Sequence, residues 1–304
     1  SGIMSQLTQQ EWETVRRLRE NWGASDARRD IGWQQPSAIT VQQFCYGTLE
    51  QEQALELYIP KTLSAPYPVI VSIHGGGWFY GEQKQYRPYC MDLAMRGFAV
   101  FNGNYRLAPE FPYPAALEDI CTMMAWIKQH AEALQLDCSR LYMVGDSAGA
   151  QLAFQYCTMA SNAAYRKQYT IPTCDLLPQA VGLNCGFYEV HTLPDPMFLN
   201  WYLTKPSKEP ETTLLLECLQ HVTSAFPPAY LACSANDPLT VCTKPLADRL
   251  AVLQVPFEYH VYGAGTPEDG HVFHLNWKSE NGRLCNDAQC AFFRQFPKSN
   301  LSGK

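Results

Sequence analysis

From residue 68 onward, short apolar runs take turns with helical patterns, and that alternation leaves few architectures open. The runs are 68–73 (PVIVSI), Gly97–Phe101, Leu141–Val144, Val181–Asn184, Tyr230–Ser234 and Phe257–Tyr262. PVIVSI is continuous rather than alternating, which suits a strand buried on both faces, and Gly97–Phe101 repeats the pattern after a glycine. Between and after them, 115–130, Ala148–Met159, Lys244–Leu253 and Leu284–Phe296 carry apolar residues at helical spacing. The pattern predicts an α/β chain: a mostly parallel central sheet flanked by helices. Residues 40–48 and 53–59 alternate like strands ahead of it.

Two segments stand outside the alternation. Residues 7–22 place Trp12, Val15, Leu18 and Trp22 at helical spacing. Residues 187–226, rich in Phe, Tyr, Trp, Leu and Pro, separate two expected core strands. An insertion there sits above the carboxyl ends of the strands, where open α/β sheets bind ligands. The expectation is a small helical cap, made of an N-terminal segment 1–40 and a cap insertion at 187–226. The main domain is then 41–304. A longer helical connection is the plainer alternative for the insertion.

Gly145-Asp146-Ser147-Ala148-Gly149 follows the apolar run Leu141–Val144 and opens a helical stretch. A serine on such a tight strand–turn–helix junction is lifted above the sheet, at a helix N-terminus, as a nucleophile requires. A helix N-cap is the plainer role for the same residue. His74-Gly75-Gly76-Gly77-Trp78 follows the strand Val69–Ile73. Acyl transfer develops negative charge on a carbonyl oxygen, and glycines let backbone N–H groups approach it closely. His74 itself is expected to be structural. A serine nucleophile needs an imidazole to take its proton and a carboxylate to fix the imidazole. In chains with this elbow the order is Ser, then acid, then His. Asp237, just past Tyr230–Ser234, and His271, past Phe257–Tyr262, meet that order, with Asp269 and His274 as local rivals.

Taken together, HGGGW at 74–78, NYRLAPEFPYPAALED at 104–119, GDSAGA at 145–150, DPL at 237–239 and HVF at 271–273 resemble the hormone-sensitive lipase family of α/β-hydrolases. That family is typified by small microbial esterases. The resemblance implies an α/β-hydrolase fold with an N-terminal cap. It implies Ser147, Asp237 and His271 as the catalytic triad, and Gly76, Gly77 and Ala148 as oxyanion-hole donors. Asp146, Arg106 and Glu110 would support the elbow. The chain departs from the pattern at Ala150 and Val272, where the family more often has glycine. The loop 264–270 is longer than usual, and 189–226 resembles the family least.

The resulting expectation is a serine carboxylesterase acting on short-chain carboxylic esters through an acyl-enzyme. Trp78, Phe79 and Tyr80 are the candidate substrate-binding residues. An amidase or peptidase with the same triad and a non-catalytic small-molecule receptor on the same fold are the alternatives. No cofactor or metal is implied: the cysteines form no CxxC pair. The net charge of −6 without a basic run argues against nucleic acid as partner. No run of 18 apolar residues signals a membrane span. Ser1 and Gly2 read as an expression remnant, and the polar N-terminus lacks a secretory signal. Twelve cysteines, several within apolar patterns, are expected to be mostly reduced thiols, hence a cytoplasmic protein. A homodimer is left open.

Overall fold

A computed structural model describes residues 7–171, 175–193, 195–204 and 210–298, with the side chains of 210–212 left aside. Cys174, residues 1–6 of the expected cap segment, and 194 and 205–209 of the insertion lie outside the described residues. Helix α1 (Gln9–Arg29) leads into strands β1 (Ile39–Cys45), β2 (Ala54–Pro60) and β3 (Tyr67–Ile73). Then come α2 (Gln83–Ala94), β4 (Ala99–Gly103), α3 (Ala115–His130), β5 (Leu136–Asp146), α4 (Ala148–Ser161) and the short α5 (Ala163–Arg166). The chain continues with β6 (Ala180–Asn184), α6 (Met197–Tyr202), α7 (Pro210–Leu216), β7 (Ala229–Ser234), α8 (Thr243–Val252), β8 (Phe257–Tyr262) and α9 (Glu280–Phe293).

The eight strands form one sheet in the order β1-β2-β4-β3-β5-β6-β7-β8. β2 pairs antiparallel with β1 and with β4, and every pairing from β4 to β8 is parallel. This is the α/β architecture expected. Alternate residues of β3 feed opposite faces: Val69, Val71 and Ile73 pack with Met123 of α3 and Leu152 of α4. Ile70 packs on the other side with Tyr89 of α2 and Phe293 of α9. Helices on both faces explain why β3 reads as an unbroken apolar run.

Two elements differ from the expected plan. α2 had no counterpart in the reading of the sequence. It carries Pro88 in its interior, yet buries Tyr86, Tyr89, Cys90, Leu93 and Ala94 on one side. Helix α1 runs to Arg29 rather than stopping near Trp22. Gly23 lowers its propensity by about 1 kcal/mol but does not end it, and Arg28 and Arg29 sit favourably at its C-terminus. Its N-terminus is closed by a capping box between Thr8 and Glu11. Among the described residues, ten cysteines besides Cys121 are free thiols, and no helix is long and apolar enough to cross a membrane.

Candidate active site

The carboxyl ends of β3, β5, β7 and β8 converge on one edge of the sheet, and each is followed by a loop that the motifs singled out. After β5 the chain turns through Ser147 at φ 55°, ψ −121°, outside the regions that L-residues favour. The turn is held from both sides. A Cβ on Gly145 would lie 2.3 Å from the Gly149 carbonyl oxygen, and one on Gly149 would lie 2.2 Å from that of Ile73. No side chain fits at either position, which is why glycine brackets the serine. The Ser147 N–H donates to the Asn184 carbonyl at 3.0 Å.

His271 and Asp237 complete a row of hydrogen bonds. His271 Nε2 lies 3.0 Å from Ser147 Oγ, and His271 Nδ1 lies 2.6 Å from Asp237 Oδ2. Asp237 is buried, and its other oxygen accepts the Leu239 N–H at 2.9 Å. With one oxygen tied to backbone, the other faces the imidazole. The two rivals are occupied elsewhere. Asp269 accepts from Ser279 Oγ at 2.9 Å and Asn281 Nδ2 at 2.8 Å, which fastens the His271 loop to the start of α9. His274 is fully buried with its ring edge-on to Tyr89, and burial holds its pKa down at about 3.

The loop after β3 lies directly against the serine turn: a Cβ on Gly75 would sit 3.3 Å from Ser147 Cβ. Gly76 takes φ 122°, and a Cβ there would lie 1.9 Å from the Tyr80 carbonyl oxygen, so only glycine fits. Among the described residues, the N–H groups of Gly76, Gly77 and Ala148 have no acceptor. Free backbone donors beside a serine hydroxyl can receive the charge of a tetrahedral intermediate. His74 is buried, stacks on Tyr105 at 4.1 Å, and keeps its Nδ1 2.6 Å from the Gly75 carbonyl. Burial pushes its pKa down to about 4. Asp146 is buried beneath the same loop. Its Oδ2 accepts from Tyr86 Oη at 2.7 Å, and that hydroxyl in turn accepts the Gly75 N–H at 2.9 Å. Burial raises Asp146 to about 7, against the lowering effects of the Tyr86 bond and the His271 charge.

Arg106 and Glu110 support the loop without touching the elbow. Arg106 grips Asp119 of α3 through Nε and Nη2 at 2.9–3.0 Å. Glu110 forms a two-bond pair with Arg19 of α1, at 2.7 and 2.8 Å.

A cavity of about 550 Å³ opens over Ser147. Gly76, Gly77, Trp78, Tyr80, Phe187, Phe198, His271 and Val272 are among its lining residues. Phe79, expected to bind substrate, is not. It is fully buried and turned toward α1 and α6, within 4.9 Å of Trp22 and 5.1 Å of Trp201. In such a tight loop neighbouring side chains point apart, so three consecutive aromatics cannot all face one cavity. Trp22, Ser25 and Asp26 of α1 and Tyr86 of α2 also line it, and the sequence reading missed them. Trp22 had a signal, its helical spacing, but that spacing pointed only to packing.

Among the described residues, two groups bring metal-ligating atom types within 4.8 Å of one another: Cys185 with Asp237 and His271, and Glu189 with His191 and Glu217. The first already contains the short His271–Asp237 bond. In the second, His191 lies 2.8 Å from Glu217 and 3.4 Å from Glu189.

The family model described as alpha/beta hydrolase fold matches residues 70–275. The chain is 28% identical over 225 residues to esterase LipI of Mycobacterium tuberculosis, covering 71% of this chain and 70% of that one. A shorter stretch of 107 residues is 35% identical to bovine (Bos taurus) hormone-sensitive lipase, covering 34% of this chain and 14% of the lipase. The crystal structure of esterase B from Lactobacillus Rhamnosis superimposes with a TM-score of 0.84 at 24% identity, over 94% of this chain and 96% of that one. The chain belongs to the α/β-hydrolase family, in the group of hormone-sensitive-lipase-like carboxylesterases.

Proposed function

We propose that this carboxylic ester hydrolase cleaves short-chain esters through an acyl-enzyme on Ser147. The observation that carries the reading is the row from Ser147 Oγ through His271 to Asp237, at 3.0 and 2.6 Å, beside the free N–H groups of Gly76, Gly77 and Ala148. His271 Nε2 takes the Ser147 proton as Oγ attacks the ester carbonyl. The N–H donors receive the oxyanion, and His271 returns the proton to the departing alkoxide. Water, deprotonated by the same imidazole, then attacks the acyl-serine and frees the acid. Asp237 fixes the tautomer with the proton on Nδ1. Every group comes from this one chain, so the reading needs no cofactor and no homodimer. The free cysteines support a reducing compartment such as the cytoplasm.

We read α1 and the 187–226 segment as the cap over the cavity. Phe198 of α6 and Trp22 of α1 meet edge to face there with ring centroids 5.5 Å apart. Trp78 backs the wall, stacked on Tyr202 at 4.2 Å. These rings support the reading of a closed acyl end that takes a short chain. Nitrophenyl esters of increasing acyl length test the pocket: rates are expected to peak between acetyl and butyryl, and a peak at ten or more carbons overturns it. A burst of nitrophenol equal to the enzyme concentration is the expected sign of the acyl-serine.

A further inference from the structure

The charge on the cavity wall bears on which esters enter it, given the reading of Ser147 as nucleophile. We propose that Asp26, with Trp22 and Tyr80, forms a cation-recognising wall, and that the preferred substrates are esters bearing an ammonium group.

Four carboxylates line the cavity, Asp26, Asp146, Asp195 and Asp237, and no lysine or arginine does among the described residues. Two of the four are committed, Asp237 to His271 and Asp146 to Tyr86. Asp26 is not fully answered by the protein. Its Oδ2 accepts from Tyr80 Oη at 2.6 Å, and its Oδ1 has one contact with Arg29 Nη1, at 3.2 Å. Arg29 turns its fork to Asp30 instead, with Nε and Nη2 each at 3.0 Å, and Nη2 also donates to the Gln85 carbonyl at 2.7 Å. Asp26, Arg29 and Asp30 therefore carry one net negative charge at the wall.

That charge is poorly compensated. Burial raises the Asp26 pKa, and the Tyr80 bond and Arg29 only partly offset it. A ligand cation would supply what the protein withholds. The surroundings suit one: Trp22 stands 5.5 Å from Tyr80, edge to face, and 5.5 Å from Phe198. Aromatic faces, tryptophan above all, attract ammonium groups. Asp195, exposed on the opposite cap segment, adds attraction at the mouth. Asp26 and Asp195, the two carboxylates not committed to the catalytic row or to Tyr86, repel esters that carry a carboxylate of their own.

Choline and its uncharged isostere 3,3-dimethyl-1-butanol separate charge from shape. Calorimetric titration of the intact protein is expected to give a Kd at least tenfold lower for choline. In Asp26→Asn that ratio is expected to fall to within about twofold. Equal binding of the two probes by the unaltered protein overturns the proposal without any variant being needed. A full preference for choline in folded Asp26→Asn overturns the assignment to Asp26. Binding is read without turnover, so failure of the unaltered protein to hydrolyse nitrophenyl acetate would count against Ser147 chemistry alone.

Discussion

Ser147 sits in a conformation that costs about 1–3 kcal/mol in isolation, and the bracketing glycines and the Asn184 bond hold it there. If that strain serves catalysis, Ser147→Ala should fold and lose ester hydrolysis by several orders of magnitude, measured as kcat/KM on nitrophenyl acetate. Retained activity in a pure sample would show that another nucleophile acts. His271→Ala should be as damaging, since the two act as a unit. His274→Ala should lower the rate per folded molecule by less than about tenfold, because its ring faces Tyr89 and not Ser147. Asp237→Asn should keep the fold and slow acylation by up to about 10⁴, through the wrong imidazole tautomer. These residues were readable because chain order and strand ends place them. Asp26 was not: a carboxylate on a polar helix looks solvated until the helix is seen against the cavity. Val272 is a further case. It takes φ 55°, a left-handed position strained for a β-branched residue, which its letter alone does not reveal.

At the scale of elements, inner parallel strands such as β3 and β7 were legible because burial on both faces writes a continuous apolar run, whereas the edge strand β8 alternates. α2 was not, since Pro88 interrupts the pattern and the tyrosines at 86 and 89 look equally at home in a loop. The docking of α1 was hidden for a different reason. Only Val15 of that helix is buried, so little apolar signal reports where it packs. Much of its attachment is polar: Arg19 donates to the Phe79 carbonyl at 2.9 Å, the Ala108 carbonyl at 3.0 Å and both oxygens of Glu110. The Arg19–Glu110 pair is partly exposed and solvent screens it. Arg19→Met should therefore weaken the docking by only about 1–2 kcal/mol, mainly through the two carbonyls left without a donor. Amide exchange across residues 9–29 should quicken by roughly tenfold or more, while β3 and β5 stay protected. Unchanged exchange in α1 would assign its docking to the contacts of Val15, Leu18 and Trp22 with Phe79 and Trp201.

For the molecule as a whole, three buried groups set opposing responses to acid. His74 and His274 are neutral in the fold, with pKa values pushed down to about 4 and about 3, chiefly by burial. In the unfolded chain an imidazole takes its proton near pH 6.5. Below that pH the unfolded state binds two protons that the fold refuses, so stability is lost as pH falls from about 6.5 toward 4. Asp146 acts in the other direction. Its folded pKa is raised to about 7 from 3.8, so the fold keeps a proton that the unfolded chain releases between those values. Its contribution is present at low pH and is lost as pH rises toward 7. Across pH 4–6.5 the balance is one excess proton on the unfolded chain, a slope of about 1.4 kcal/mol per pH unit from these groups. Other carboxylates titrate in the same range, so differences between variants carry the test. Denaturant unfolding at intervals from pH 7 to pH 4 measures them. Asp146→Asn keeps an acceptor for Tyr86 and removes the opposing proton, so its acid slope should be steeper than that of the unaltered chain by about 1.4 kcal/mol per pH unit. His274→Phe fills much the same buried volume with a ring that cannot ionise, and its slope should be shallower by the same amount. Equal slopes in all three chains would mean that neither buried group keeps its neutral form through the acid range.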